Sequence, residues 1–352
     1  MINLKKIGLT ALAGSLVAFS ANAVELGVTG GSEITYTTNG GDTNTTGNRF
    51  GAATSMKFSG SGDVGFGTAT IVRTLRDNQS AASYSSAYTT LDLGDMGVLS
   101  FDTTGGALVG TAANDDILPT AYEEVWHAVG AGNGTVGISA KNVLGYRHTM
   151  MGVSLSAGYS AANNGTGNGD GGVSGQGGLG STWDINLSTP VPYVEGLTLA
   201  GGFAENQGTG LKSSVHDTAG GSKSWTSHLL YVTGPWSMGV RMAANQKGST
   251  NIVAGGASVA GEIATGGSVA YNVNDALTVS YAQQDVEYDK NKVGILTATA
   301  DTAAVTETSR AFNAAYTMGA ATIRGTLSKA SDVAGVTGNK DEHMEISLVL
   351  SF

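Results

Sequence analysis

Four carboxylates crowd one short stretch of this sequence: Asp115, Asp116, Glu123 and Glu124, placed around Pro119-Thr120-Ala121-Tyr122 and followed by Trp126 and His127. Acids at that density can attract cations, set up a local field, or supply oxygen ligands to a hard ion such as calcium. No contiguous calcium-loop pattern accompanies them, so calcium is the weak option and no cofactor is expected. Pro119 followed by Glu123 and Glu124 suits the start of a short helix, because proline fits the first helical position and acids favour its first turn. The alternative is an extended loop with both carboxylates in solvent.

Enzyme signatures are poor. Gly175-Gln176-Gly177-Gly178-Leu179-Gly180 fits the dinucleotide fingerprint literally, yet it lies in a glycine-rich loop with no helix after it. There is no Gly-x-Ser-x-Gly elbow and no His-Glu-x-x-His after residue 23, and the five histidines are scattered. The chain is not expected to be an enzyme. A net charge of −10, from 18 basic against 28 acidic residues, argues against nucleic acid, whose partners carry basic patches.

The acidic stretch belongs to a long irregular segment, Gly105–Lys141, that interrupts an otherwise regular beat. A loop of that length inside a folded domain is functional or disordered. Before the beat begins, residues 1–23 read as a cleaved signal: Lys5 and Lys6, an apolar centre over Ile7–Phe19, and Ala21-Asn22-Ala23 as the cleavage site. A membrane anchor is the alternative reading of those residues. One barrel domain is then expected over 24–352. It has no cysteine, so disulfides do not stabilise it.

No later apolar run is long enough for a membrane helix. The remaining residues alternate instead. Met344, Ile346, Leu348, Leu350 and Phe352 share one parity, opposed by Glu345, Ser347 and Ser351. Leu26, Val28, Ile34 and Tyr36 likewise oppose Glu25, Thr29, Glu33 and Thr35. Period-two alternation marks strands with one apolar and one wet face. The pattern predicts sixteen of them: 24–37, 48–59, 63–76, 84–93, 97–103, 142–149, 152–162, 181–190, 197–206, 224–233, 236–246, 260–272, 276–287, 307–317, 320–330 and 341–352. Seven tight connections, such as Gly60-Ser61-Gly62 and Gly234-Pro235, alternate with eight long ones. Short turns on one rim and long loops on the other describe an antiparallel transmembrane β-barrel.

Aromatic residues fit that reading. Phe58, Phe66, Trp236, Tyr271, Tyr316 and Phe352 lie near tight turns on apolar faces, as an interfacial belt in contact with outer-membrane lipid requires. On the opposite parity, facing the lumen, the expected basic residues are Arg49, Lys57, Arg73, Arg147, Arg241 and Arg324. Arg73 is assigned inward because Val64, Phe66 and Val72 share the other parity. The plain alternative for each is a solvated charge with no special role.

The signal, the beat over 24–352 and the terminal Phe352 together resemble Gram-negative general porins, most closely the alphaproteobacterial outer-membrane kind. Pro-Thr-Ala-Tyr-Glu-Glu-Val-Trp stands where enterobacterial porins carry Pro-Glu-Phe-Gly-Gly. The resemblance implies a sixteen-stranded barrel in a homotrimer, with its third long loop folded into the lumen. Counted here, that loop is 105–141. It would set Asp115, Asp116, Glu123 and Glu124 against the basic wall, favouring polar solutes across a transverse field. It also implies passive diffusion of small hydrophilic solutes and ions across the outer membrane. Phe352 would be a signal to the barrel-insertion machinery. A solute-specific porin, or a structural or adhesive barrel, is the alternative.

Overall fold

The computed structural model describes residues 25–77, 83–104, 117–129, 142–161, 181–206, 222–246, 258–291 and 305–352. Sixteen strands are present among the described residues, from β1 (Glu25–Gly41) and β2 (Phe50–Asp63) to β15 (Ala321–Ser331) and β16 (Lys340–Ser351). Every strand pairs antiparallel with its sequence neighbours, and β1 pairs with β16, which closes the barrel. Closure satisfies backbone groups that an open edge would leave bare. At the seam, the Gly30 and Phe352 backbones exchange two hydrogen bonds of 2.8 and 2.9 Å.

The polarity of a soluble fold is inverted here. Leu26, Val28 and Ile34 on β1, and Ile346 and Leu348 on β16, are exposed on the outer surface. Ser280, Gln284, Asn313, Thr326 and Ser347 are buried inside. Paired strand residues point to the same side, so register carries each face around the wall: Ile34 pairs with Leu348, and Leu348 with Ile323. Phe58, Phe66, Trp236, Tyr316 and Phe352 are exposed, and Trp236 stacks on its partner Tyr271 with ring centroids 4.3 Å apart.

Strand ends differ from expectation in one place that matters. β2 runs on to Asp63, and the turn falls at residues 64–67, where Val64 N–H donates to the Gly67 carbonyl. Val64 and Phe66 are therefore turn residues, and their parity does not carry into β3 (Thr68–Asp77).

Candidate functional site

The barrel interior is the candidate site, and residues 117–129 lie inside it. The segment crosses the strands one after another along the inner wall. Leu118 and Pro119 sit on β11 (Trp236–Gln246) and β12 (Ser258–Asn272), where Gly239 and Gly266 face inward. A Cβ at Gly239 would lie 2.6 Å from Pro119 Cδ, so the lack of a side chain there forms the seat. On β13 (Leu277–Asn291), Ser280 Oγ accepts the Ala121 N–H at 2.8 Å. On β14 (Thr306–Met318), Asn313 Oδ1 accepts the Glu123 N–H at 3.3 Å and its amide donates to the Glu123 carbonyl at 3.0 Å. Val125 packs on Ala282 and Ala311, and Val129 on Ala330 and Val333.

The short helix expected after Pro119 does not form; residues 117–129 are turns and bends. The reason is local. Wall side chains take up the backbone groups that a helix would pair internally, and the Thr120 hydroxyl donates to the Glu123 carbonyl at 2.9 Å.

Aromatic and charged contacts complete the docking. The Tyr122 hydroxyl donates to Glu345 on β16 and reaches Glu33 on β1, while Arg324 on β15 lies 4.3 Å over the Tyr122 ring. The same guanidinium pairs with Glu33 at 2.8 Å. Arg241 on β11 lies 4.9 Å over the Trp126 ring and donates to Gln284. Glu123 pairs with His127 at 3.1 Å. Burial pushes the Tyr122 phenol and the Glu123 carboxyl up from their ordinary values, with Glu345 adding to both and His127 opposing the shift at Glu123. The first long loop closes over this region: Asn44 donates to the Ala128 carbonyl, and Asp341 accepts the Thr43 N–H at 3.0 Å.

The residues singled out in the sequence separate into groups. Lys57, Arg147, Arg241 and Arg324 lie on inward-facing positions, with Lys57 paired to Thr29 and Thr74. Arg73 does not. It pairs with Phe58 and shares a face with the exposed Ile71 (52%) and Leu75 (38%), whereas Val72 is 3% exposed and turned inward. Its guanidinium folds back onto the Val72 and Tyr88 carbonyls at 2.7 and 3.3 Å. The turn at 64–67 broke the parity that had assigned Arg73 to the lumen. Arg76, three residues on and paired with Ser55, faces the lumen instead. Arg49 also leaves the wall: it precedes β2 and donates to the hydroxyl of Tyr36, at an outward position, at 3.1 Å. Glu123 and Glu124 are half-buried in the docked segment. Asp115 and Asp116 lie outside the described residues.

Sequence reasoning missed Glu33, Tyr122, His343 and Glu345 as site residues. The wet parity of Glu33, His343 and Glu345 was visible, but their convergence with Tyr122 depends on where 117–129 lands. Among the described residues, two open volumes border the inner wall. One of 810 Å³ is lined by Arg147, Ser154, Asn186, Thr226 and His228, and one of 540 Å³ by Lys57, Thr74, Arg76 and Ser351.

Neither a protein-family model nor a curated protein sequence matches the chain. Solved structures do match its fold. Salmonella typhi OmpF, in complex with daunomycin, superposes with a TM-score of 0.65 at 13% identity, over 93% of this chain and 97% of that one. The outer-membrane protein OmpT of Vibrio cholerae, in a trimer form, gives 0.64 at 11% identity over 94% and 100%. The outer-membrane channel DcaP of Acinetobacter baumannii gives 0.62 at 13% over 95% and 99%. What the chain shares with these outer-membrane proteins is the fold: a closed antiparallel barrel of sixteen strands.

Proposed function

We propose that this chain forms a water-filled channel in the Gram-negative outer membrane, passing small hydrophilic solutes and ions by passive diffusion. The observation that carries the reading is the polarity inversion of a closed barrel: a largely apolar outer face and an interior rich in buried polar residues. An apolar band outside suits lipid, and a polar lumen lowers the barrier for hydrated solutes. Among the described residues, the docked segment covers the inner face from β11 round to β1, and the proposed passage runs beside the remaining wall. Its acids and Glu33 then stand on one side, with Lys57, Arg76 and Arg147 on the other.

A homotrimer accompanies this proposal. On the outer face of the early strands the apolar band gives way to small and polar residues: Ser32 pairs with Thr54, and Arg73 with Ala87. Polar or charged residues facing lipid are costly, so a second copy of the chain is the better cover for that patch. The trimer form of Vibrio cholerae OmpT supports the same assembly.

Planar-bilayer recordings of the refolded chain from Val24 onward test the reading. Steady conductance falling in three coupled steps supports a trimeric pore, and absence of conductance overturns the channel. Saturable current blocked by one sugar or anion would point to a solute-specific pore.

A further inference from the structure

Where the segment meets β16, five potential ligands gather from two elements. His127, His343 and Glu345 offer ligand atoms within 4.8 Å of one another, and so do Glu123, Glu124 and His127. His127 therefore belongs to both sets, one half on the wall and the other on the segment. The two imidazoles meet edge to face, with ring centroids 5.3 Å apart.

His343 has the marks of a prepared ligand. Its side chain is 1% exposed, and its Nε2 is buried with no hydrogen-bond partner. The other ring nitrogen, Nδ1, lies 2.6 Å from Asn39 Oδ1. An amide oxygen only accepts, so Nδ1 carries the proton and Nε2 keeps its lone pair. That lone pair is left unused 3.9 Å from Glu345 Oε2. An orphaned buried acceptor costs stability unless something binds it. An outer hydrogen bond that fixes a histidine tautomer is also the usual support of a metal-bound imidazole.

The geometry points to a transition-metal site of the zinc class, formed by His127, His343 and Glu345 with Glu123 or Glu124 as the fourth ligand. Two imidazoles with carboxylates suit zinc, whereas calcium needs six or more oxygens. Tetrahedral zinc holds its ligands about 3.4 Å apart, from bonds of roughly 2.1 Å. Side-chain adjustment closes the spacing seen here, and His127, 37% exposed, opens the site to the lumen. The ion would tie the segment to β16 and cancel negative charge beside the passage.

Binding can be read without conduction. Zinc alone is titrated against a chromophoric chelator with the refolded chain in detergent, and cobalt(II) replaces zinc for its visible tetrahedral bands. The expected result is one zinc per chain, weakened more than about 100-fold by His343→Ala and by His127→Ala, beyond the roughly 10- to 100-fold of an outer-shell loss. Asn39→Ala should cost about 10-fold. His127 lies on the segment and not on a strand, so its variant tests the site even if His343→Ala fails to fold. No stoichiometric binding, equal affinity in the His127 variant, or displacement by equimolar calcium overturns the proposal. A negative result leaves the channel reading standing, and a silent bilayer leaves this one standing.

Discussion

Tyr122 is the residue at which the inserted segment engages the wall charges. Its hydroxyl bonds two carboxylates from β16 and β1, and its ring carries the Arg324 guanidinium. Hydrogen bonds to charged groups contribute about 1.5–3 kcal/mol, so Tyr122→Phe should loosen the segment by that order. Trp126 reports it: of the four tryptophans, Trp183, Trp225 and Trp236 lie on outward-facing positions. With those three replaced by phenylalanine, iodide quenching of Trp126 should rise in Tyr122→Phe. Unchanged quenching would remove the hydroxyl from the docking energetics. Glu123 adds a pH dependence. Its carboxyl is held above 4.5 in the folded state, chiefly by burial. The folded state then binds the proton more tightly than the unfolded state. Docking is strongest below that value and weakens as pH rises from 4.5 through the raised folded value. Quenching should climb across that window and be flat in Glu123→Gln. Arg73 and Arg76 supply a third expectation. Arg76→Gln should move the reversal potential toward cation preference, and Arg73→Gln should not, because only Arg76 faces the lumen. Equal shifts from both would contradict the assigned faces.

At the scale of elements, the segment over residues 117–129 is held by a seat that the strands provide. Gly239 is open because Leu118 and Pro119 fill the space a side chain would take. Gly239→Val should push the segment off its seat at a cost of about 1–3 kcal/mol, typical of overpacking. Single-channel recordings should show noisier or larger open currents, while Gly267→Ala on the outward face, with its nearest neighbour at 3.5 Å, should behave as wild type. Identical recordings from both variants would mean the seat does not position the segment. Strands were legible in the sequence because a two-residue period is short and repeats many times within each of them. The segment was legible only as an interruption. Its partners include Ser280, Asn313, Arg324 and Glu345, each more than 150 residues away in the chain, and no local pattern announces such contacts. The helix read after Pro119 failed for the same reason: wall hydroxyls and amides outcompeted internal pairing.

For the whole molecule, two properties follow from the distribution of charge and polarity. The outer patch bearing Ser32, Thr54 and Arg73 is the proposed contact between copies. Thr54→Trp should release monomers in detergent, read by analytical ultracentrifugation, with strand content unchanged by circular dichroism. Trimers surviving that change would move the interface elsewhere. The chain carries a net charge of −10, which favours cations, but the narrowest point governs selectivity. Neutralising Asp115, Asp116, Glu123 and Glu124 together should shift the reversal potential toward anion preference. No shift would place those acids away from the narrowest point.

The sequence by itself determined that this chain is a closed antiparallel barrel and which way most strands turn their faces. Alternation, turn spacing and strand number are local or countable properties, and backbone pairing leaves few ways to satisfy them. The tertiary structure alone decided where Glu123 and Glu124 go. Residues 117–129 dock by side-chain contacts to strands distant in sequence, so Glu123 and Glu124 lie packed against the wall with Arg241 and Arg324 under neighbouring rings. It also decided the face of Arg73, because a turn over residues 64–67 resets the two-residue period, and parity counted through it no longer holds.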